Sequence, residues 1–353
     1  MGLKIALAFC FLIGIKLLYG SFSKADIITE TPIDNAWWQS LSEEWKSILL
    51  INQNFQQQGI DIFKLQTDYS NRLNAAGEAD YSEMNRSLHD LSADKSFGLG
   101  YTDLYARALR KKIMVKNDSI NLKTLDKLET VYMVNGPAEL SPLKKLAHLK
   151  VLIINYCGID VSVPFNREIL DLEPLRNLKE LRVLHCSSPA LQSLSAIKDL
   201  TNLEELRCDN SNVTSLSPLK KLVNLKRLTI GSKIKDAAII SSFQNLEELT
   251  IDLAKQVPDL RKMKNLQKLC IAESEMAIVD KSYRINNIEF LSRLANLEYV
   301  DLKYTSYRGS LDALASLQHL KAITLPPVSQ EAMLQFKKNH KNCIIINSYQ
   351  YER

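Results

Sequence analysis

The sequence contains no Cys-x-x-Cys pair, no His-Glu-x-x-His motif and no glycine-rich phosphate loop, and its 11 glycines and 5 histidines are scattered. The familiar zinc sites, the zinc-protease centre and the nucleotide-binding loops are therefore not readings this chain supports. His185 adjoins Cys186 and Cys157 completes a conceivable zinc trio, but three ligands without a recognised spacing give no reason to expect a metal, and no cofactor is expected either. Charge of one sign is also scarce. The 45 basic and 40 acidic residues leave a formal charge of +5, and with no basic stripe nucleic acid is not a candidate partner.

Long apolar runs are absent after the first residues, so nothing later in the chain approaches the ~20 residues of a membrane span. The start, "MGLKIALAFCFLIGIKLLYGSFSKAD", has an early lysine, an apolar stretch from Ile5 to Tyr19 and small residues near Ala25. It reads as a secretory signal over residues 1–25. An uncleaved anchor is the alternative, opposed by Lys16, which cuts the run short. Removing Lys4, Lys16 and Lys24 with the signal takes three positive charges from the formal +5 and leaves +2. The expected location is outside the cytoplasm: periplasm, cell surface or medium. Five cysteines then remain, Cys157, Cys186, Cys208, Cys270 and Cys343. An odd number at repeat-related places is not a disulfide framework; buried thiols are expected, with a Cys157–Cys186 bridge as the alternative.

What the chain has in abundance is leucine in phase. "LSPLKKLAHLKVLII" at 140–154 returns as "LSPLKKLVNLKRLTI" at 216–230. Aligned on the leucine that opens the second half of the phrase, the series runs Leu128, Leu149, Leu178, Leu203, Leu225, Leu246, Leu266, Leu297 and Leu320, with steps of roughly 22 residues and two longer ones. "LEELRC", "LKRLTI", "LEELTI" and "LQKLCI" follow in successive units. Ser141 with Pro142 and Ser217 with Pro218 suit the start of a short helix. Asn177, Asn202, Asn224, Asn245, Asn265 and Asn296 precede the strand leucine, where a left-handed turn residue is expected.

This L-x-x-L-x-L pattern resembles the leucine-rich repeats, and with its Ser-Pro-Leu segment it is similar to their internalin-like class. The resemblance implies an α/β solenoid: a horseshoe with a parallel sheet on the concave face, short helices on the convex face, and about nine repeats over 122–353. It also implies a non-enzymatic protein-interaction module. One unit cannot bury its own leucines, and stacked units share one core. The terminal units then need covers. Residues 26–121 lack the repeat, and Trp38, Leu41, Trp45, Ile48 and Leu49 fall at helical spacing, with Ser40 and Glu43 as a capping box. This segment is expected to be the helical N-terminal cap, with a second helix at 101–113. Its double-Trp opening is similar to that of leucine-rich repeat proteins of the Bacteroidetes. "NCIIINSYQYER" is expected to close the other end as a strand. The segments 158–174 and 272–290 read as loop insertions.

The candidate binding residues flank the second consensus leucine. Strand alternation puts Glu180, Arg182, Glu205, Arg207, Asp209, Arg227, Glu248, Thr250 and Asp252 on the exposed concave face, with Lys268, Tyr299, Asp301 and Lys303 further along. Each of them alone is read most plainly as solvated surface in a cross-strand ion pair. As an ensemble they form a mixed-charge strip that suits a protein partner, with a glycan as the other ligand class. The alternative function is a structural or regulatory part of an envelope complex, assembled through the Trp-rich N-terminal segment. No catalytic residue is expected.

Overall fold

In this computed structural model the described residues are 33–57, 59, 122–134, 139–155, 170–253, 257–273 and 284–347. The signal-like start, the helix expected at 101–113, Cys157 and most of both insertions lie outside them. A single parallel sheet holds ten strands in sequence order: β1 (Thr130–Val134), β2 (Val151–Asn155), β3 (Val183–His185), β4 (Glu205–Cys208), β5 (Arg227–Ile230), β6 (Glu248–Leu253), β7 (Lys268–Glu273), β8 (Tyr299–Asp301), β9 (Ala322–Leu325) and β10 (Ile344–Asn347). Short 3-10 turns such as Ser141–Lys145 and Ser217–Lys221 link the strands on the opposite side.

The repeat period becomes a ladder because each strand pairs in register with the next. Leu206 lies beside Leu228, and Leu228 beside Leu249. Their side chains, 0%, 1% and 1% exposed, belong to one apolar column running along the solenoid. The turns contribute a facing column, including Leu143, Leu175, Ile197, Leu219 and Leu291, all fully buried. Neighbouring strands stand about 4.8 Å apart, so no coil has a core of its own. Cys186 and Cys208 are buried free thiols in the same core, as expected.

Three local expectations are corrected. The 3-10 turns are not capped by Ser141 or Ser217 themselves. Their first N–H groups are met from two residues earlier: Glu139 accepts from Ser141 at 2.6 Å, Asp171 from Glu173 at 2.9 Å, Ser215 from Ser217 at 3.1 Å and Asn287 from Glu289 at 2.6 Å. A side-chain oxygen two residues back reaches an N–H that the tight turn leaves pointing outward. The prolines do occupy the first turn.

The asparagines do not take the left-handed conformation either; among the described non-glycine residues that conformation occurs at Asn210, with φ 51°. Instead the side-chain amides of five of the six donate to a carbonyl of the preceding coil: Asn202 to Lys179 at 2.9 Å, Asn224 to Thr201 at 2.9 Å, Asn245 to Val223 at 2.9 Å, Asn265 to Gln244 at 3.2 Å and Asn296 to Lys264 at 2.7 Å. This polar ladder runs parallel to the leucine column and ties coil to coil.

The third correction concerns the N-terminal helices, α1 (Asn35–Ser40) and α2 (Glu43–Gln57). Ser42, not Ser40, caps α2, accepting from the Trp45 N–H at 3.2 Å, while the Ser40 hydroxyl donates to the Trp37 carbonyl at 2.6 Å. The packing face is as expected: Trp38, Leu41, Trp45, Ile48 and Leu49 are buried in the same core as the repeats. After a short helix, α3 (Leu122–Leu125), the chain enters β1. At the far end a ten-residue helix, α4 (Gln330–Asn339), replaces the 3-10 turn before β10.

Candidate functional site on the sheet face

The outward-pointing rows of the sheet follow from the register. Val183, Glu205, Arg227, Glu248, Lys268, Tyr299 and Ala322 form one row, and His185, Arg207, Thr229, Thr250, Cys270, Asp301 and Thr324 form the next. Ten of the expected residues therefore share this face: Glu205, Arg207, Asp209, Arg227, Glu248, Thr250, Asp252, Lys268, Tyr299 and Asp301. Glu180 and Arg182 do not. Both Leu178 and Leu181 can open an L-x-x-L unit, and stacking chooses Leu181, because only that phase sets Leu184 beside Leu152 and Leu206.

Arg182 consequently precedes the strand and joins a charged ladder along the strand starts. It pairs with Glu204 at 3.3 Å, Glu204 with Lys226 at 3.0 Å, and Lys150 with Glu129 at 2.6 Å. Glu180 stands where the next five coils have asparagine and meets His148, the residue at the same place in the preceding coil, at 3.1 Å. These pairs are solvent-exposed and contribute about 0–1 kcal/mol each.

His185 is a residue of the face that sequence reasoning missed, for the same reason of phase. Its Nε2 lies 2.6 Å from Glu205, whose other oxygen accepts from Arg227 at 2.5 Å. Beside them Asp209 accepts from Arg207 at 3.0 Å and from the Ser187 hydroxyl at 2.5 Å. Burial pushes both carboxyls up, but the hydrogen bond and charge of His185 with Arg227 outweigh it at Glu205, and Arg207 with Ser187 outweigh it at Asp209. Both end below their ordinary values, so this part of the face is a pre-paired ionic network.

The C-terminal part differs. Burial, then the charge of Asp209, push Asp252 up, and burial also leaves Asp301 raised despite the Lys303 amide that donates to it. Tyr299, which donates to or accepts from Thr324 at 3.2 Å, is pushed by burial to about 12. Lys268 lies 5.7 Å above the Tyr299 ring, and Lys303 lies 4.9 Å from the ring of Tyr304, itself 65% exposed. At the other end, Tyr132 and Ile153 occupy outward rows yet are each 1% exposed, so the accessible face begins near His185.

Among the described residues no group of three or more histidine, cysteine or acidic side chains is placed to hold a metal. Burial keeps the Cys270 thiol, an outward residue of β7, protonated up to about 11. A cleft of about 410 Å³ lies between the α1–α2 corner and the first turn, lined by Trp37, Trp45, Glu139 and Lys145 among others. Of the three tryptophans, Trp38 and Trp45 are buried and Trp37 is half-buried.

The family model described as "Leucine-rich repeat region" matches residues 121–337. The chain belongs to that family. No curated protein matches it. Among solved structures, the leucine-rich repeat chain is similar to the internalin InlF of Listeria monocytogenes, with 19% identity over 68% of this chain and 72% of that one and a TM-score of 0.46. It is also similar to a leucine-rich repeat protein of Leptospira interrogans, with 17% identity, 64% of this chain covered and a TM-score of 0.44; there it spans 62% of the other chain. Among the described residues of this leucine-rich repeat protein, no helix is long and apolar enough to cross a membrane.

Proposed function

We propose that this leucine-rich repeat protein is an exported, non-enzymatic interaction module that binds a protein partner on its outer sheet face, between β4 and β8. The observation that carries the reading is the in-register strip of Glu205, Arg207, Asp209, Arg227, Glu248, Asp252, Tyr299 and Asp301, held by a rigid ladder. Such a surface is pre-organised, so a partner loses little binding energy to ordering it. Mixed charge and a flanking tyrosine suit a protein more than an apolar ligand or a lipid. Export rests on the signal-like residues 1–25, and N-terminal sequencing of the mature protein should begin near Asp26; recovery of Met1 would overturn that part.

The binding test uses the double variant Arg207→Glu with Asp252→Lys, both on the face, and Arg182→Glu, off it. The protein that wild type captures from envelope extract should bind the double variant at least about tenfold more weakly and bind Arg182→Glu unchanged. Equal affinity for all three proteins removes the sheet face as the site.

A further inference from the structure

Among the described residues, strand β10 has a strand neighbour on one side only. Its outward residues Ile344 and Ile346 stand beside Ala322 and Thr324, and Ile344 is 64% exposed. The helix that leads into it repeats this exposure. Leu334 is 55% exposed, and Lys337 and Lys338, three and four residues on, share its side of α4. Phe336, on the opposite side, is buried and stacks on His340, with ring centres 4.7 Å apart. Lys341 follows in the exposed turn before β10. Among the described residues these three lysines have no acidic partner, whereas the neighbouring Lys321 is held by Glu298 at 2.6 Å. Glu331 is the one acidic residue of α4, in its first turn. Among the described residues the last coil therefore combines an open strand edge, exposed aliphatic side chains and positive charge without an acidic partner.

We propose that the β10 edge accepts an extended acidic protein segment as an eleventh strand. The edge offers a row of backbone donors and acceptors that any extended chain can pair with, and side chains then decide which chain is accepted. Ile344 and Leu334 supply apolar contact, and Lys337, Lys338 and Lys341 select carboxylates. A second copy of this protein is disfavoured by the same charges, since pairing two β10 edges sets lysines against lysines. This site is distinct from the sheet face between β4 and β8 and does not depend on it.

The test is fluorescence anisotropy on the full chain with a blocked octapeptide alternating valine and glutamate, its valine–lysine counterpart, and a version of the acidic probe N-methylated at alternate peptide bonds. The acidic probe should bind. The lysine probe and the N-methylated probe should bind at least about tenfold more weakly, as should the acidic probe with K337E/K338E/K341E or, if that variant misfolds, with K337Q/K338Q/K341Q. Equal affinity for the N-methylated probe overturns strand addition, and equal affinity for both signs of charge overturns the selection. A concentration-dependent dimer in sedimentation that Ile344→Asp abolishes makes the occupant a second copy. Binding to phosphatidylglycerol vesicles without peptide binding makes it a membrane surface. Either result overturns the proposal.

Discussion

The two ends of the sheet solve one problem in opposite ways. At β1 the free edge is closed by side-chain amides of α2: Asn52 accepts from the Tyr132 N–H at 2.8 Å and donates to the Tyr132 carbonyl at 3.0 Å. One turn further, Gln56 accepts from the Glu129 N–H at 2.9 Å and donates to the Lys127 carbonyl at 2.8 Å. Each amide reproduces what a neighbouring strand would offer, and Trp45 covers the apolar column behind, donating its indole N–H to the Glu139 carbonyl at 3.1 Å. At β10 no such amide is present among the described residues, and lysines flank an exposed isoleucine. A strand edge can be satisfied permanently from within the chain or guarded by charge and left available. The contrast teaches that, among the described residues, the β1 edge is sealed and the β10 edge is not.

The sharpest way to break this contrast is at the sealed end. Trp45→Ala should cost about 3–5 kcal/mol, read from urea denaturation, because it removes a buried aromatic and uncovers the first coil. Neighbouring repeats share that core, so the loss should spread through the first coils; amide exchange confined to α2 would contradict it. Asn52→Ala removes both hydrogen bonds to the buried Tyr132 backbone and should cost about 2–4 kcal/mol, and Asn52→Leu should not recover it. If Asn52→Leu restores stability, the amide is packing and not edge closure.

The acid limb sharpens the comparison between the two parts of the outer face. Glu205 and Asp209 have folded pKa values below their unfolded ones, so their contribution is fully present above the ordinary carboxyl value, 4.5 for Glu205, and is lost as pH falls through the lower folded value. Asp252 and Asp301 are raised, so they take stability away at neutral pH and return it when protonated. Urea midpoints should therefore fall on acidification in wild type and fall less in Glu205→Gln. In Asp252→Asn the midpoint should be raised at pH 7 and unchanged below pH 3. A Glu205→Gln profile as steep as wild type would remove the paired network as the cause. The smallest effect is expected at the open end: Ile344→Ser should change stability by no more than about 0.5 kcal/mol, since its side chain is mostly in water already. A loss above about 2 kcal/mol would show that the edge is covered.

Most of the fold was legible because its signal is periodic. Leucines such as Leu203, Leu225 and Leu246 recur at a spacing that no isolated helix or strand would need, and the tryptophan stripe at 38–49 announced a covered end. Coil three was misread because "NLKELRVLHC" permits two phases, and sequence alone weighs Leu178 and Leu181 equally. That single ambiguity placed Glu180 and Arg182 on the sheet face and hid His185. Asn52 and Gln56 carried no apolar signal, and nothing local marks an amide as the partner of a strand some 80 residues away.

By itself, then, the sequence determined the repeat, the inward columns and the strand order, because burying leucines at that period has one economical solution, the stacked parallel sheet. The tertiary structure decided the phase of coil three, which carboxylates are paired and which are raised, and which sheet edge is closed. Those depend on what stands one coil away, and contact between residues some 20 to 80 positions apart is a property of the stack and not of any stretch within it.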